Sequence, residues 1–258
     1  MHVHHRNDLE GIKDISRVVD ESNYYSMLLV YYSRGNDFWI KCANAIDLNH
    51  KFKYFLAIRT YSISPEYFAM MYKSFNEIQK DRIMFNIVAG DIHDHESSVD
   101  DLVVSNEEFR SIENRIDYTR AWMEKLSSLL SHDEMPEIVM SGKSPKTLES
   151  ASMHADYNLS MIDDYIASPE KFSMNRRRMV CAAIVIRPTF EQAEEVVDSI
   201  ELKHQKRWTL FGTEDQIVEK IKDLKSIGVT DLLLRCHNND TEYNLIHQFV
   251  KKHKGFIE

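Results

Sequence analysis

The stretch from Tyr54 to Gly90 limits the fold more than any other part of the chain, because it runs strand, loop, amphipathic helix, strand and small-residue turn in direct succession. Residues 52–58 form an apolar and aromatic run of the kind a strand buried on both faces of a parallel sheet requires. Ser64 stands as an N-cap before Pro65, which fits a first helical position, and the helix they open places Phe68, Met71, Tyr72 and Phe75 on one face. A second strand over 82–88 ends in Ala89 and Gly90. Small residues there let a ligand approach the backbone, and the carboxyl ends of parallel strands are where α/β folds bind ligands.

The same alternation continues through the sequence. Eight candidate strands fall near 2–5, 25–31, 52–58, 82–88, 137–141, 157–161, 179–186 and 231–236. Helical faces lie at 9–19, 109–130, 190–202 and 215–227, and Thr213 with Gln216 makes a capping box for the last of these. Strands separated by helices, with right-handed crossovers, give a parallel sheet, and eight are enough to close it. At 258 residues and 43% hydrophobic composition the chain fits one α/β domain over 1–258, a (β/α)8 TIM barrel, which takes about 250 residues. No Pro/Gly/Ser-rich linker divides it. The longest irregular stretch, 91–105, is acidic and follows the fourth strand, so it belongs over the mouth of the barrel.

Composition narrows the function. The net charge of -9 is spread through helical segments, which argues against nucleic acid as a partner. No segment is apolar enough to span a membrane, and the start, Met1 to Arg6, has no apolar core of signal-peptide length, so a cytoplasmic protein is expected. Cys42, Cys181 and Cys236 read as reduced core thiols. His93 and His95 among Asp91, Asp94 and Glu96 read as an acidic mouth loop, His2, His4 and His5 as a first strand or terminus, and no metal site is assigned. Asp163, Asp164 and the run Arg176 to Arg178 read as solvated faces, with pairing of the arginines to a second subunit as the alternative.

Candidate site residues cluster at the strand ends. Ser141, Gly142, Lys143 and Ser144 follow the fifth strand and precede a helix at Pro145, an arrangement whose backbone N–H groups, lysine and hydroxyls suit a phosphate. A plain strand-to-helix turn with a solvated lysine explains the same residues, and the spacing is not that of a Walker motif. Arg59 ends the third strand, and Asn86, Ala89 and Gly90 lie at the end of the fourth. Asn86 within a buried strand needs a hydrogen-bond partner, either a bound ring or a side chain of the neighbouring strand. Arg115 and Tyr118 on the next helix are either an extension of this cluster or exposed helix residues. Asp37, Phe38, Trp39 and Tyr61 are placed at an apolar mouth that suits an organic substrate. His237, after the last strand, can give or take a proton there, or is a loop histidine beside the turn residues Asn238 and Asn239.

Several segments taken together carry a resemblance. Leu56-Ala57-Ile58-Arg59, Ile63-Ser64-Pro65 and the run from Asp81 to Gly90 stand in order with the segment from Gly35 to Trp39, that from Ile138 to Pro145, and His154-Ala155-Asp156-Tyr157. Leu210 to Val218, running into Gly228 to Leu234, completes the set. In this order the chain resembles the bacterial-luciferase-like flavin-dependent monooxygenases, nearest the alkanesulfonate monooxygenase branch. The resemblance implies a luciferase-like barrel that uses reduced FMN, delivered by a separate flavin reductase, and oxygen to oxidise a small organic substrate, with deazaflavin as the cofactor of related branches. It also implies a homodimer or heterodimer, the flavin phosphate at 141–144, and the flavin ring over Val88, Ala89 and Gly90. The chain departs from that branch at its catalytic positions: Gly35 replaces a cysteine, Cys181 and Ala183 replace an Arg-x-His pair, and His237 stands where a tyrosine is usual. The insertion region is shortened to 201–211. Catalysis would then fall to His237 and Asp37, and the competing expectation is a non-catalytic flavin-binding or partner subunit of the same fold.

Overall fold

The computed structural model describes residues 1–5, 12–30, 37–46, 50–89, 107–174, 177–200, 206–235 and 240–253. Nine strands are present: β1 (His2–His5), β2 (Ser26–Leu29), β3 (Lys53–Ile58), β4 (Ile83–Val88), β5 (Glu137–Ser141), β6 (Tyr157–Met161), β7 (Arg177–Ile186), β8 (Thr209–Gly212) and β9 (Asp231–Arg235). All pair in parallel. β1 to β7 follow one another around a ring, β9 joins β7 to β1, and so eight strands close the barrel that the alternation predicted. β8 is additional: it pairs with Ala183 to Ile186 of β7, past Cys181, where the pairing with β6 ends. Four residues carry too little periodicity to be recognised as a strand, and the sequence reading had assigned this stretch to the shortened connection.

Helices alternate with the strands: α1 (Ile12–Glu21), α2 (Phe38–Ala45), α3 (Pro65–Ile78), α4 (Ile112–Leu129), α5 (Pro145–His154), α6 (Ile162–Ala167), α7 (Phe190–Asp198), α8 (Glu214–Ser226) and α9 (Asp240–Lys252). Local chemistry sets their starts. Ser64 Oγ accepts from the Tyr67 amide at 3.2 Å with Pro65 in the first turn, and Thr213 and Gln216 form the reciprocal capping box that satisfies two otherwise orphaned amides.

Strand periodicity divides the core into two shells. Tyr54, Leu56 and Ile58 of β3 and Ile83, Phe85 and Ile87 of β4 face the helices, where Phe68 and Tyr72 of α3 and Trp122 of α4 meet them. Phe68 packs edge-on against Phe85 with ring centroids 4.6 Å apart. Phe55, Ala57, Met84, Val139, Leu159, Met179, Cys181 and Leu233 fill the inside of the barrel. Among the described residues no helix is long and apolar enough to cross a membrane.

Polar groups close the amino end. Tyr25 Oη donates to the Glu137 carboxylate at 2.7 Å, Lys53 Nζ lies 3.2 Å from the same group, and Arg177 pairs with Asp231 at 3.2 Å while stacking over the Tyr157 ring at 4.1 Å. Burial and these carboxylates push both tyrosine hydroxyls well above the usual phenol range. Of the run Arg176 to Arg178, read as a solvated face, Arg177 is exposed and also serves this cluster, while Arg178 is half-buried, its Nη1 donating to Tyr165 Oη at 3.4 Å. Arg176 lies outside the described residues.

Candidate functional site

The carboxyl end of the barrel brings together residues from β3, β4 and β5 by continuing the inward series of each strand. On β3 the series Phe55, Ala57 leads to Arg59, whose backbone stays extended (φ -97°, ψ 115°) before a short 3-10 turn. The Arg59 carbonyl accepts from the Ser62 amide at 3.0 Å and from Ser62 Oγ at 2.7 Å, so the side chain leaves a fixed base. Its Nη1 is buried and has no hydrogen-bond partner among the described residues. A buried polar atom left unmatched costs about 1–3 kcal/mol, more when charged, and Arg59 Nη1 is one of several such atoms among the described residues, with Trp39 Nε1, Tyr157 Oη and Asp231 Oδ2.

On β4 the inward series Met84 leads to Asn86, which is 5% exposed, and on β5 Val139 leads to Ser141. Ser141 Oγ donates to Asn86 Oδ1 at 2.7 Å. The partner of Asn86 is thus a side chain of the neighbouring strand, one of the two alternatives left open by the sequence.

The turn that follows is held from beneath. Gly142 has φ +146°, and a Cβ on it would sit 2.6 Å from Thr147 Cγ2, so this position needs glycine. Its amide donates to Leu159 O at 3.0 Å, while Asn158 Nδ2 donates to Met140 O at 3.2 Å and Gly142 O at 3.1 Å. Asn158 was not singled out from the sequence, although an amide inside Tyr157-Asn158-Leu159 carries the same signal as Asn86. Ser144 is the N-cap of α5, its Oγ accepting from the Thr147 amide at 3.2 Å. Lys143 is exposed, with Nζ 2.7 Å from Asp164 Oδ1. Ser141 and Gly142 therefore shape the mouth, and Lys143 and Ser144 stand at its rim with structural partners of their own.

Behind Asn86 the chain is clamped by a buried arginine. Arg115 is 1% exposed, which corrects its reading as an exposed helix residue: Nε donates to Ala89 O at 2.9 Å and Nη1 to Phe109 O at 2.5 Å. It joins the two described edges of the segment between β4 and α4. Tyr61 lies against Phe109, centroids 5.4 Å apart, and Phe109 against Tyr118 at 5.0 Å, an aromatic ledge along the same side of the rim.

Of the expected mouth residues, Trp39 stands elsewhere and Asp37 has a structural task. Trp39 is 5% exposed and packs among Phe68, Phe75 and Phe85, between the helices and the sheet rather than in the mouth. Asp37 is the N-cap of α2, one carboxylate oxygen accepting from the Trp39 amide at 2.8 Å and the Ile40 amide at 3.1 Å. One cause accounts for both: Asp37-Phe38-Trp39 opens a helix, which Asp37 caps and whose first apolar residues turn toward the core. Cys181 faces the barrel interior, and burial pushes its thiol up to about 11, so it is protonated at neutral pH. His237, Gly90, Gly35, Cys236 and the stretch 91–105 with His93 and His95 lie outside the described residues.

No family model matches the sequence. Solved structures of the same architecture are numerous at very low identity. An EDTA monooxygenase from Chelativorans sp. BNC1 superposes with a TM-score of 0.77 at 11% identity, over 97% of this chain and 88% of that one. A riboflavin lyase determined with modified FMN and riboflavin gives 0.75 at 12%, over 98% and 86%. An F420-dependent secondary alcohol dehydrogenase in complex with an F420-acetone adduct gives 0.72 at 11%, over 100% and 99%. In fold, this chain is a (β/α)8 barrel of the same architecture as these structures, the fold that the order of its sequence segments implies.

Proposed function

We propose that the protein binds a flavin, FMN or a deazaflavin, at the carboxyl end of the barrel and acts as a flavin-dependent oxidoreductase on a small organic substrate. The observation that carries this reading is the unmatched, buried Arg59 Nη1 on the strand next to the one that bears Asn86. A flavin ring offers acceptors along one edge, and Arg59 is built to meet one. Two of the three structures named above support the same class, since one holds modified FMN with riboflavin and the other an F420-acetone adduct.

When bound, the flavin supplies the electron pair for the reaction. The residues of this chain hold and shield it. Arg59 donates to its acceptor edge, and the Asn86–Ser141 pair presents a fixed polar surface beside the ring. Ala89, whose carbonyl Arg115 anchors, forms the floor; Gly90, proposed with it, lies outside the described residues. Gly142 lets the backbone pass close to the ligand, and Lys143 and Ser144 at the start of α5 face its phosphate, Lys143 exchanging Asp164 for it. Tyr61 borders the substrate, and the apolar barrel interior excludes water. His237 remains the proposed proton donor. Asp37 is dropped from that role because its carboxylate caps α2.

Within this class we favour reduced FMN with oxygen and a reductase as donor, as the monooxygenase resemblance implies, in a dimeric protein. The coverage figures favour a deazaflavin as the second reading, because the chain spans 99% of the F420-dependent enzyme and 88% of the EDTA monooxygenase. A flavin-binding subunit without turnover also remains a reading, favoured by the commitment of Asp37 to a helix cap. Anaerobic titration with oxidised and reduced FMN, and with oxidised and reduced deazaflavin, followed by fluorescence, tests the proposal. Saturable quenching by at least one cofactor is expected, and air oxidation of the reduced complex with and without candidate substrates then separates enzyme from carrier. No binding of either cofactor in either form would sink the flavin reading.

A further inference from the structure

We infer that Arg59 biases the bound flavin toward its reduced form, by setting a positive charge against the edge of the ring that becomes negative on reduction. The inference rests on the flavin reading above and adds a role for one residue within it.

The cations of the described structure divide by how they are matched. Arg177 has Asp231, Arg187 has Glu242 and Lys143 has Asp164. Arg115, at the same end of the barrel as Arg59, spends its guanidinium on two backbone carbonyls. Arg59 differs. It sits at the end of an inward series of apolar residues, its backbone is tied by Ser62, and its Nη1 is out of water with no hydrogen-bond partner among the described residues. The inward groups that share its end of the barrel on the next two strands, Asn86 and Ser141, are neutral and hydrogen-bonded to each other. A cation in such surroundings acts on a ligand over a short distance and through a low dielectric, and its hydrogen bond to an anion is roughly twice as strong as one to a neutral acceptor.

Flavin chemistry supplies the asymmetry on which such a charge can act. The oxidised ring is neutral. Two electrons and one proton convert it to a form whose negative charge is shared by N1 and the C2 carbonyl oxygen, and the 5-deaza ring has the same pyrimidine edge. A guanidinium N–H donor aimed at that edge therefore binds the reduced ring more strongly than the oxidised one, whichever of the two cofactors is used. A residue that merely anchored the phosphate would hold both redox forms equally, since the phosphate does not change.

The test compares the wild-type protein with Arg59→Met and Arg59→Lys, measuring dissociation constants for oxidised and reduced FMN and deazaflavin under dithionite and the midpoint potential of the bound cofactor. Wild type is expected to prefer the reduced form. Arg59→Met is expected to lose at least about tenfold of that preference, which for a two-electron couple lowers the midpoint potential by about 30 mV. Arg59→Lys, which keeps the charge, is expected to retain most of it. Equal weakening of both forms in Arg59→Met would overturn the inference and make Arg59 an anchor, and unchanged binding of both would remove Arg59 from the site. Wild type that binds neither cofactor would overturn the flavin reading itself, a result distinct from either. Thermal unfolding of each variant establishes that it is folded.

Discussion

At the amino end of the barrel Glu137 takes a hydrogen bond from Tyr25 and an ion pair from Lys53, and Arg177 meets Asp231; at the carboxyl end Arg59 keeps a buried guanidinium nitrogen with no hydrogen-bond partner among the described residues. The same strands carry both arrangements: β3 begins with Lys53 and leads into Arg59, and β5 begins with Glu137 and ends with Ser141. Charges that find partners within the fold stabilise it and leave no demand on a ligand. A buried donor left without a partner lowers stability and creates that demand, and at the carboxyl end that donor belongs to a cation.

Arg115 is the sharpest challenge to that contrast, because it is a buried cation at the carboxyl end that is fully employed by the fold. Replacing it by alanine is expected to cost about 3 kcal/mol in urea unfolding, since two carbonyls lose their donor and a large cavity opens. A cost below about 1 kcal/mol would mean that the clamp on Ala89 and Phe109 is not structural. Glu137→Ala at the amino end is expected to lower stability by about 1–2 kcal/mol, reduced from the value for a charged hydrogen bond because the carboxylate is 26% exposed, and to leave flavin affinity unchanged. Arg59→Met should move the other way in stability, by up to about 1 kcal/mol upward in the absence of ligand, because it removes an unmatched donor. A loss of stability of similar size would show that Arg59 has an internal partner after all.

Acid sensitivity is predicted to come from the amino-end side as well. Burial lowers the pKa of His50, beside the start of β3, and of His154, at the end of α5, below the ordinary 6.5. The unfolded chain then binds more protons than the folded one, so this contribution is complete above about pH 6.5 and is lost as pH falls from there through the depressed folded values. Unfolding at pH 7.5 and 5.5 should show the decline, and His50→Gln should reduce it. Smallest of all, Lys143→Ala is expected to change stability by less than about 0.5 kcal/mol, because its ion pair with Asp164 is largely solvated. A clear loss of flavin affinity in that variant would support its place beside the phosphate.

Much of the fold was legible in the sequence, and the site was legible in part. Ser64-Pro65, Thr213 with Gln216, and the apolar runs of β3 and β4 are signals whose range is a few residues, and each formed the element it announced. Arg59, Asn86 and Ser141 stand together at one end because strand register and alternation bring them there. Trp39 went astray because an aromatic side chain near a strand end reads the same whether it faces a mouth or a helix, and only the direction of α2 separates the two. Asn158 was overlooked because its task is to hold the carbonyls of Met140 and Gly142 on another strand, a contact that leaves no mark on its own neighbours in sequence.

The sequence by itself determined the alternation of strands and helices, the caps that start the helices and the two shells of the core, because these depend on periodicity and on hydrogen bonds a few residues long. Tertiary structure alone decided which charges are matched. Tyr25 reaches Glu137 across 112 positions of chain and Lys143 reaches Asp164 across 21, while Arg59 Nη1 has no hydrogen-bond partner among the described residues. Whether an arginine is a strut or a binding group is set by what stands opposite it once the barrel has closed, and closure brings together residues whose separation along the chain carries no information about their distance in space.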